Sequence, residues 1–433
     1  MCSKNETINS KSKEGREMVE ELGLSRRGKK KLLKLIKNKK INPKDTDEVK
    51  GFAKKFKRRS WIRRIVLCVI GVILVLAGVF AVRSWVVVSG AVDGVFAGGG
   101  GVLDLVRRDP LQKDENGRTN VLFLGAAGEH DDEHRDHPSP GLTSSMMVLS
   151  FHEETSELIM ISVPRDMEVR HECDGWLGTT WGKFNQTFPC IEEAGGTFER
   201  AAEVTKTSVG DVLGLEVHYL VHMDFRVLID VVDTLGGIDV EIWSSDPLAT
   251  TIMDRNFDWM CPAGPYTCHF VHWPVGEVAH LDGTHALALS RARGAAGGWG
   301  LPRANFDREV HQQRIFVAVG ERAQDVNFFV NPGTALDLIE AMGAHIRTTF
   351  RASEFRTLVE LAQSVTSEGD VAGRVRSLPL LNYDQPEYSV VDGAGQPLLG
   401  QFNFSGIREL VRMAIMGELE WLDEENGDVE ELL

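Results

Sequence analysis

Asn120-Val-Leu-Phe-Leu-Gly125, Ser145-Met-Met-Val-Leu-Ser-Phe151 and Glu157-Leu-Ile-Met-Ile-Ser-Val163 are three short, almost wholly apolar runs. Each is too short for an ordinary helix and is bounded by Gly or by a polar turn such as His152 to Ser156, so each reads as a buried strand. Segments of helical period follow at 198–214, 225–235, 283–292 and 307–326. Short apolar strands interleaved with such helices predict a layered α-β-α domain around a central mixed sheet rather than a sandwich. The chain has 433 residues, of which 42% are hydrophobic and 26% charged, which excludes a wholly disordered or collagenous protein.

Outward from these strands the charge is divided. Residues 1–64 hold 22 Lys/Arg against 8 Asp/Glu, whereas the remainder holds 26 against 55. Between the two regimes run 18 consecutive apolar or Gly residues, Ile65 to Val82. As a helix they cover roughly 27 Å, close to the ~30 Å hydrocarbon thickness of a bilayer. Trp61 and Trp85 suit the two interfaces, and Arg64 and Arg83 are placed to snorkel. A soluble helix of this length would keep a polar face, and a cleaved leader would not follow 64 residues of basic chain. The segment therefore reads as one retained transmembrane helix. The basic excess before it places the N-terminus in the cytoplasm and the acidic body outside the cell membrane.

The organisation predicted is a basic head (1–60), the transmembrane helix (61–86), an extracytoplasmic spacer (87–118), the main domain (119–350), its C-terminal part (351–416) and an acidic tail (417–433). The head carries Leu32, Leu33 and Ile36 among lysines and reads first as a solvated juxtamembrane arm. Docking on anionic membrane lipid is its sharper form; nothing in it reads as a DNA recognition helix, so nucleic acid is not an expected partner. Cys173, Cys190, Cys261 and Cys268 form an even set in the exported part. Of three pairings, Cys173 with Cys190 and Cys261 with Cys268 close the shortest loops, and no CxxC spacing suggests structural zinc instead.

An acidic body repels anions unless cations are concentrated locally. Such candidates recur at strand ends and helix starts: Arg165 directly after the third strand, Lys183 in a loop, Arg291 and Arg293 after a helix, and Arg308 four residues before Gln312. Arg308 and Gln312 share a face of a helix, and Arg291 and Arg293 point to one side if their backbone is extended. Arginine's planar donor fork matches phosphate oxygens. Any one of these arginines, taken singly, is more simply read as pairing with a surface carboxylate.

Taken in order, "NVLFLG", "TSSMMVLSF", "ISVPRD", "GKFN", "VHMDFRVLIDVVDTLGGIDVEI", "HLDGTHALALSRAR" and "NFDREVHQQ" resemble the successive motifs of the LytR-CpsA-Psr family over residues 120–319. The resemblance implies a phosphotransferase that moves a glycopolymer from a polyprenyl-pyrophosphate carrier to peptidoglycan. It implies that Arg165, Arg291, Arg293 and Arg308, with Lys183 and Gln312, hold the pyrophosphate, Arg165, Arg308 and the Asn305 position acting on the reacting phosphorus. It further implies an apolar lipid tunnel, here lined by 147–151, 225–235 and 315–319, for which simple core packing is the equal alternative. Mg²⁺ or Mn²⁺ is the implied cofactor.

Three positions depart from the family pattern. Ser144, Ala127 and Asn305 stand where the resemblance leads one to expect Asp. Asp131 and Asp132, in the ligand-rich loop after Gly125, are candidate metal ligands in their place, and Asp307 adjoins Arg308. If none of these substitutes, a polyprenyl-pyrophosphate-binding scaffold with weakened turnover is the second reading. A transmembrane regulator with a partner- or DNA-binding head is the third.

Overall fold

The three apolar runs form β1 (Arg118–Ala126), β2 (Thr143–His152) and β3 (Glu157–Ser162), paired antiparallel in chain order. The computed structural model describes residues 94–126, 141–173, 181–262, 267–294, 298–325, 345–366, 374–382 and 388–419, with positions 30–32, 34 and 38 near the N-terminus. The chain divides into two compact units, Met1–Trp85 and Val86–Leu433. In the first, the backbone is helical at 30–32 and 34. The apolar segment 65–82 lies outside the described residues, among which no helix is long and apolar enough to cross a membrane.

In the second unit the further strands are β4 (Glu168–Arg170), β5 (Trp181–Lys183), β6 (Tyr219–Asp224), β7 (Ile238–Glu241), β8 (Thr251–Asp254), β9 (Val271–Pro274), β10 (Val278–Leu281), β11 (Ile346–Thr348) and β12 (Val375–Leu378). The helices are α1 (Thr187–Glu193), α2 (Phe198–Leu213), α3 (Phe225–Thr234), α4 (Gly283–Ser290), α5 (Asn305–Asp325), α6 (Ala352–Thr366) and α7 (Ser405–Ile415). The central sheet has six strands in the order β11-β6-β1-β2-β3-β12. It is mixed, since β6 runs parallel to β1 and β12 parallel to β3.

Side-chain alternation sets the layers. Leu122, Leu124, Val148, Ile159 and Ile161 point to one face, where they pack with residues of α1, α2 and α7. Val121, Met147, Leu149 and Met160 point to the other, against α6 and the Phe316 side of α5. Each fully buried aliphatic side chain contributes roughly 1.5–3 kcal/mol, so both faces are needed to hold the sheet. Helix starts are fixed locally: Thr197, Asp224 and Asp282 each accept a backbone N–H of the first turn. Gly214, at φ 72°, ends α2.

One expectation is corrected. From residue 94 onward the stretch taken as a flexible spacer belongs to the domain. Val95, Phe96 and Leu111 are buried, and Phe96 bridges to Thr348 beside the sheet edge. Within this stretch Gly98 is required by close packing: a Cβ there would lie 2.5 Å from the carbonyl oxygen of Phe350. The C-terminal part belongs to the same domain, since β12 is an edge strand of the sheet and α7 covers one face.

The side chains expected to line a tunnel are divided between two clusters. Met147, Leu149 and Phe151 pack with Phe316 and Val317, whereas Phe225, Ile229 and Val232 pack with Ile315 and Ala318. Helix α5 contributes to both.

Two imidazoles carry a pH dependence. Burial lowers His311 to about 4, and burial with the charge of Arg347 lowers His222 to about 3. Both are therefore neutral when folded, and the unfolded chain binds more protons below its ordinary value near 6.5. Their contribution is complete above that value and is lost as pH falls toward 4, at about 1.4 kcal/mol per group per unit. The Tm is expected to fall steadily below about pH 6.5, with a shallower slope in His311→Gln; a midpoint unchanged down to about pH 5 would contradict this.

Candidate active site

After β3 the chain turns through Pro164-Arg165-Asp166, and this turn is pinned from both sides. Asn185 N donates to the Arg165 carbonyl at 2.9 Å and Gln396 Nε2 to the Asp166 carbonyl at 2.8 Å. The two side chains are thereby held at the end of the sheet. Asp166 is the junction: Lys183 Nζ lies 2.7 Å from one carboxylate oxygen, while Arg165 Nε lies 3.5 Å from the other, to which Asn305 Nδ2 donates at 3.4 Å. Burial works to raise the Asp166 pKa, but the Lys183 hydrogen bond and the charges of Arg165, Lys183 and Arg308 hold it below the usual carboxylate range.

Helix α5 brings Asn305, Arg308, Glu309 and Gln312 to one face by their spacing of three, four and seven. Arg308 is 2% exposed, and burial, then the charges of Arg293 and Arg165, lower its pKa to about 9, despite Glu309 and Asp166. Burial and Arg165 lower Arg293 in the same way. Arg293 is positioned through its backbone N–H, which donates to Asp254 Oδ2 at 2.7 Å. Arg165 thus lies close enough to disfavour the charge of both Arg293 and Arg308, and Arg293 that of Arg308. The Arg308 Nε is buried without a hydrogen-bond partner, and that of Arg165 is buried with only its 3.5 Å approach to Asp166. Buried donors are normally satisfied and buried like charges are costly, so the arrangement suits an added anion.

Two expected ligands are placed differently. Arg291 caps α4 with φ −115° and ψ −3°, so Arg291-Ala-Arg293 is not extended. The Arg291 guanidinium stacks 4.4 Å from the Phe225 ring centroid and 5.7 Å from that of Phe257. It is Arg293 whose charge is felt by Arg308. Gln312 accepts from Ser145 Oγ at 2.7 Å and donates to the Ser290 carbonyl at 2.9 Å, so both ends of its amide brace β2 against α4.

Among the positions that depart from the family pattern, Ser144 is the extra residue of a β-bulge, since Gly125 pairs with Ser145 and Ala126 with Thr143. Asn305 Oδ1 is buried and unpartnered. Asp307 does not replace the missing carboxylate: its Oδ2 accepts from Arg303 N at 2.8 Å, a bond at the start of α5. Ala127, Asp131 and Asp132 lie outside the described residues.

The donor set near the arginines does not by itself fit a divalent ion. The two oxygens of Asp166 are engaged by Lys183 and by Asn305, burial pushes Glu309 up to about 7, and no group of three metal-ligating side chains exists among the described residues. Disulfides join Cys173 to Cys190 and Cys261 to Cys268, with Cα–Cα distances of 6.2 and 5.6 Å. The first ties the segment after β4 to α1; the second closes the turn before β9. Sequence reasoning missed Asp166, Glu309, Asp254 and Gln396 as parts of the site. The first two adjoin arginines already singled out; nothing local marks the others.

The domain is mixed α/β, with Arg165, Arg293 and Arg308 brought together by the turn after β3, the segment after α4 and the start of α5. Residues 104–385 match the LytR_cpsA_psr family, and the chain belongs to it. The polyisoprenyl-teichoic acid–peptidoglycan teichoic acid transferase TagU of Bacillus mycoides (strain KBAB4) is 25% identical over 285 residues, 64% of this chain and 75% of its own length. TagV of Bacillus subtilis (strain 168), a transferase of the same description, is 24% identical over 310 residues, 72% of this chain and 69% of its own. The crystal structure of B. subtilis TagV superposes with a TM-score of 0.41 at 20% identity, covering 70% of this chain and 99% of that one.

Proposed function

We propose that the protein is a membrane-anchored phosphotransferase that moves a glycopolymer from a polyprenyl-pyrophosphate carrier to peptidoglycan outside the cell. The observation that carries this is the convergence of Arg165, Arg293 and Arg308, the last with a buried Nε that has no hydrogen-bond partner. Family membership and the named activity of TagU and TagV support the same reading.

The step follows from the charges. A sugar hydroxyl of the acceptor attacks the glycan-bearing phosphorus, a new P–O bond forms, and the bond to the bridging oxygen breaks. Polyprenyl phosphate leaves with the electron pair. Negative charge grows on the bridging and non-bridging oxygens, where fixed guanidiniums are worth most because they need not reorganise. Lys183, held by Asp166, and Arg165 would grip the outer phosphate, and Arg308 the reacting one, with Asn305 beside them. The hydroxyl proton goes to a carboxylate. Glu309, on the Arg308 face of α5 and pushed up by burial to about 7, is suited to accept it. Glu309→Gln is expected to lower turnover about a hundredfold and to remove the acid limb of the pH–rate profile; an unchanged profile would exclude Glu309 as the base.

The prenyl chain would run along the apolar side chains between α5 and the sheet, toward the bilayer in which residues 61–86 anchor the chain. A requirement for Mg²⁺ or Mn²⁺ rests on Asp131 and Asp132 and is tested by turnover in a chelator; no step above depends on it. The test of the whole is full-length protein in lipid nanodiscs, given a polyprenyl-pyrophosphate-linked glycan and peptidoglycan oligomers. Release of polyprenyl monophosphate with covalent glycan product is expected. Retained lipid without release would favour the scaffold, the reading to which Asn305 and Ser144 point.

A further inference from the structure

The ribbon that holds the Arg293 backbone also carries a row of aromatic rings that the phosphate chemistry does not use. Strands β8 and β9 form an antiparallel ribbon in which Met253 pairs with His272. Trp299 adds to its free edge: its N–H and C=O bond the backbone of Met253, both at 3.0 Å. The tryptophan is mounted by its neighbours. A Cβ on Gly298 would lie 2.3 Å from the Met253 carbonyl oxygen, and one on Gly300, at φ +74°, 2.4 Å from that of Thr251, so only glycine permits this approach. Trp299 Nε1 donates to Thr251 Oγ1 at 2.7 Å, which fixes the indole plane, yet the residue is 48% exposed.

The row continues from Trp299 to His272, with ring centroids 5.9 Å apart, and to His269, a further 5.7 Å. His269 is anchored, its Nδ1 2.8 Å from the buried carboxylate of Asp258, and the Cys261–Cys268 disulfide ends immediately before it. The ribbon also carries the arginine segment: Asp254, next to Met253, holds Arg293 N, and Asn256 Nδ2 holds the Arg291 carbonyl at 3.0 Å. The aromatic row and the group that positions Arg293 are thus carried by one ribbon, the row beside Met253 and the Asp254 side chain on the opposite face of β8.

We infer that Trp299, His272 and His269 form a saccharide subsite that seats a pyranose of one of the two glycans on the ribbon that also holds Arg293. A pyranose offers a face of C–H groups to the electron-rich face of an indole, while its hydroxyls need polar neighbours, which the imidazoles supply. A rigid, half-exposed indole flanked by histidines matches both needs without an ordering cost. The chemistry is shared by the acceptor's glycan strand and by the carrier-linked polymer. The inference deepens the transferase reading and rests on it, but binding can be read separately from turnover.

The test uses full-length protein in detergent and three probes: soluble peptidoglycan glycan-strand oligosaccharides, lipid-free glycopolymer, and geranylgeranyl pyrophosphate. Trp299→Ala is expected to weaken one of the two glycans at least tenfold, naming the source, with pyrophosphate binding unchanged; Trp299→Phe keeps most of the affinity, which controls for misfolding. Equal glycan binding by Trp299→Ala and the parent, or no glycan binding by the parent, overturns the subsite. So does a loss in Trp299→Ala confined to binding of anionic vesicles, since the row would then meet a membrane. Failure of the parent to bind the pyrophosphate overturns the transferase reading instead.

Discussion

Arg308→Met is expected to lower transfer by roughly a thousandfold while leaving the ligand-free domain at least as stable as the parent. One preorganised donor to a developing oxyanion is worth about 10²–10³ in rate, and a guanidinium on a transferring phosphoryl group reaches about 10³–10⁵. Methionine fills most of the arginine volume, so the change tests charge rather than packing. Because burial and the neighbouring Arg293 and Arg165 already disfavour the Arg308 charge, its removal relieves an existing cost. The Tm without ligand should therefore hold or rise, while the rise on adding a pyrophosphate ligand should vanish. Lysine at this position should not restore activity, because an ammonium lacks the planar fork. A variant with full turnover, or one that loses both turnover and fold, would contradict the assignment.

Glu157→Gln should cost about 3–5 kcal/mol of stability without touching the site. Glu157 opens β3 and takes ion pairs from Arg118 of β1 and Arg376 of β12, so one carboxylate ties strands from both ends of the chain. Arg118 is 2% exposed, and its Nη1 also donates to the Ser150 carbonyl at 3.1 Å. Neutralising the carboxylate leaves a buried guanidinium facing an amide, and the desolvation already spent is no longer offset. The Tm should drop by roughly 10 °C, read by calorimetry. Pyrophosphate affinity measured below the transition should stay unchanged. A drop equivalent to less than about 1 kcal/mol would show that solvent reaches the pair and screens it.

The elements with a strong local signal were legible from the chain. Strands β1 to β3 and helices α2 to α5 lie within about two residues of their expected bounds, because apolar runs, Asp or Thr caps and Gly ends act locally. Strands β6, β11 and β12 gave no such signal; their pairing comes from tertiary contact. In the site, Arg165, Lys183 and Arg308 could be singled out from chemistry and motif. That Asp166 joins them depends on Gln396, 230 residues away, which no spacing rule connects. Alternation failed at Arg291 because α4 runs to Ser290 and the arginine caps it. At Gln312 the helical spacing placed the residue on the Arg308 face, but a polar residue there can be satisfied by the protein itself, as both ends of its amide are.

The central claim is that Arg165, Arg293 and Arg308 together bind one diphosphate. Calorimetric titration of the full-length protein with geranylgeranyl pyrophosphate, beside Arg165→Ala, Arg293→Ala and Arg308→Met, tests it most directly. Micromolar or tighter binding is expected for the parent, weakened at least tenfold in each variant and less than additively in pairs, because they share one ligand. Parent-like affinity in two of the three variants would show that the guanidiniums do not act on a common group.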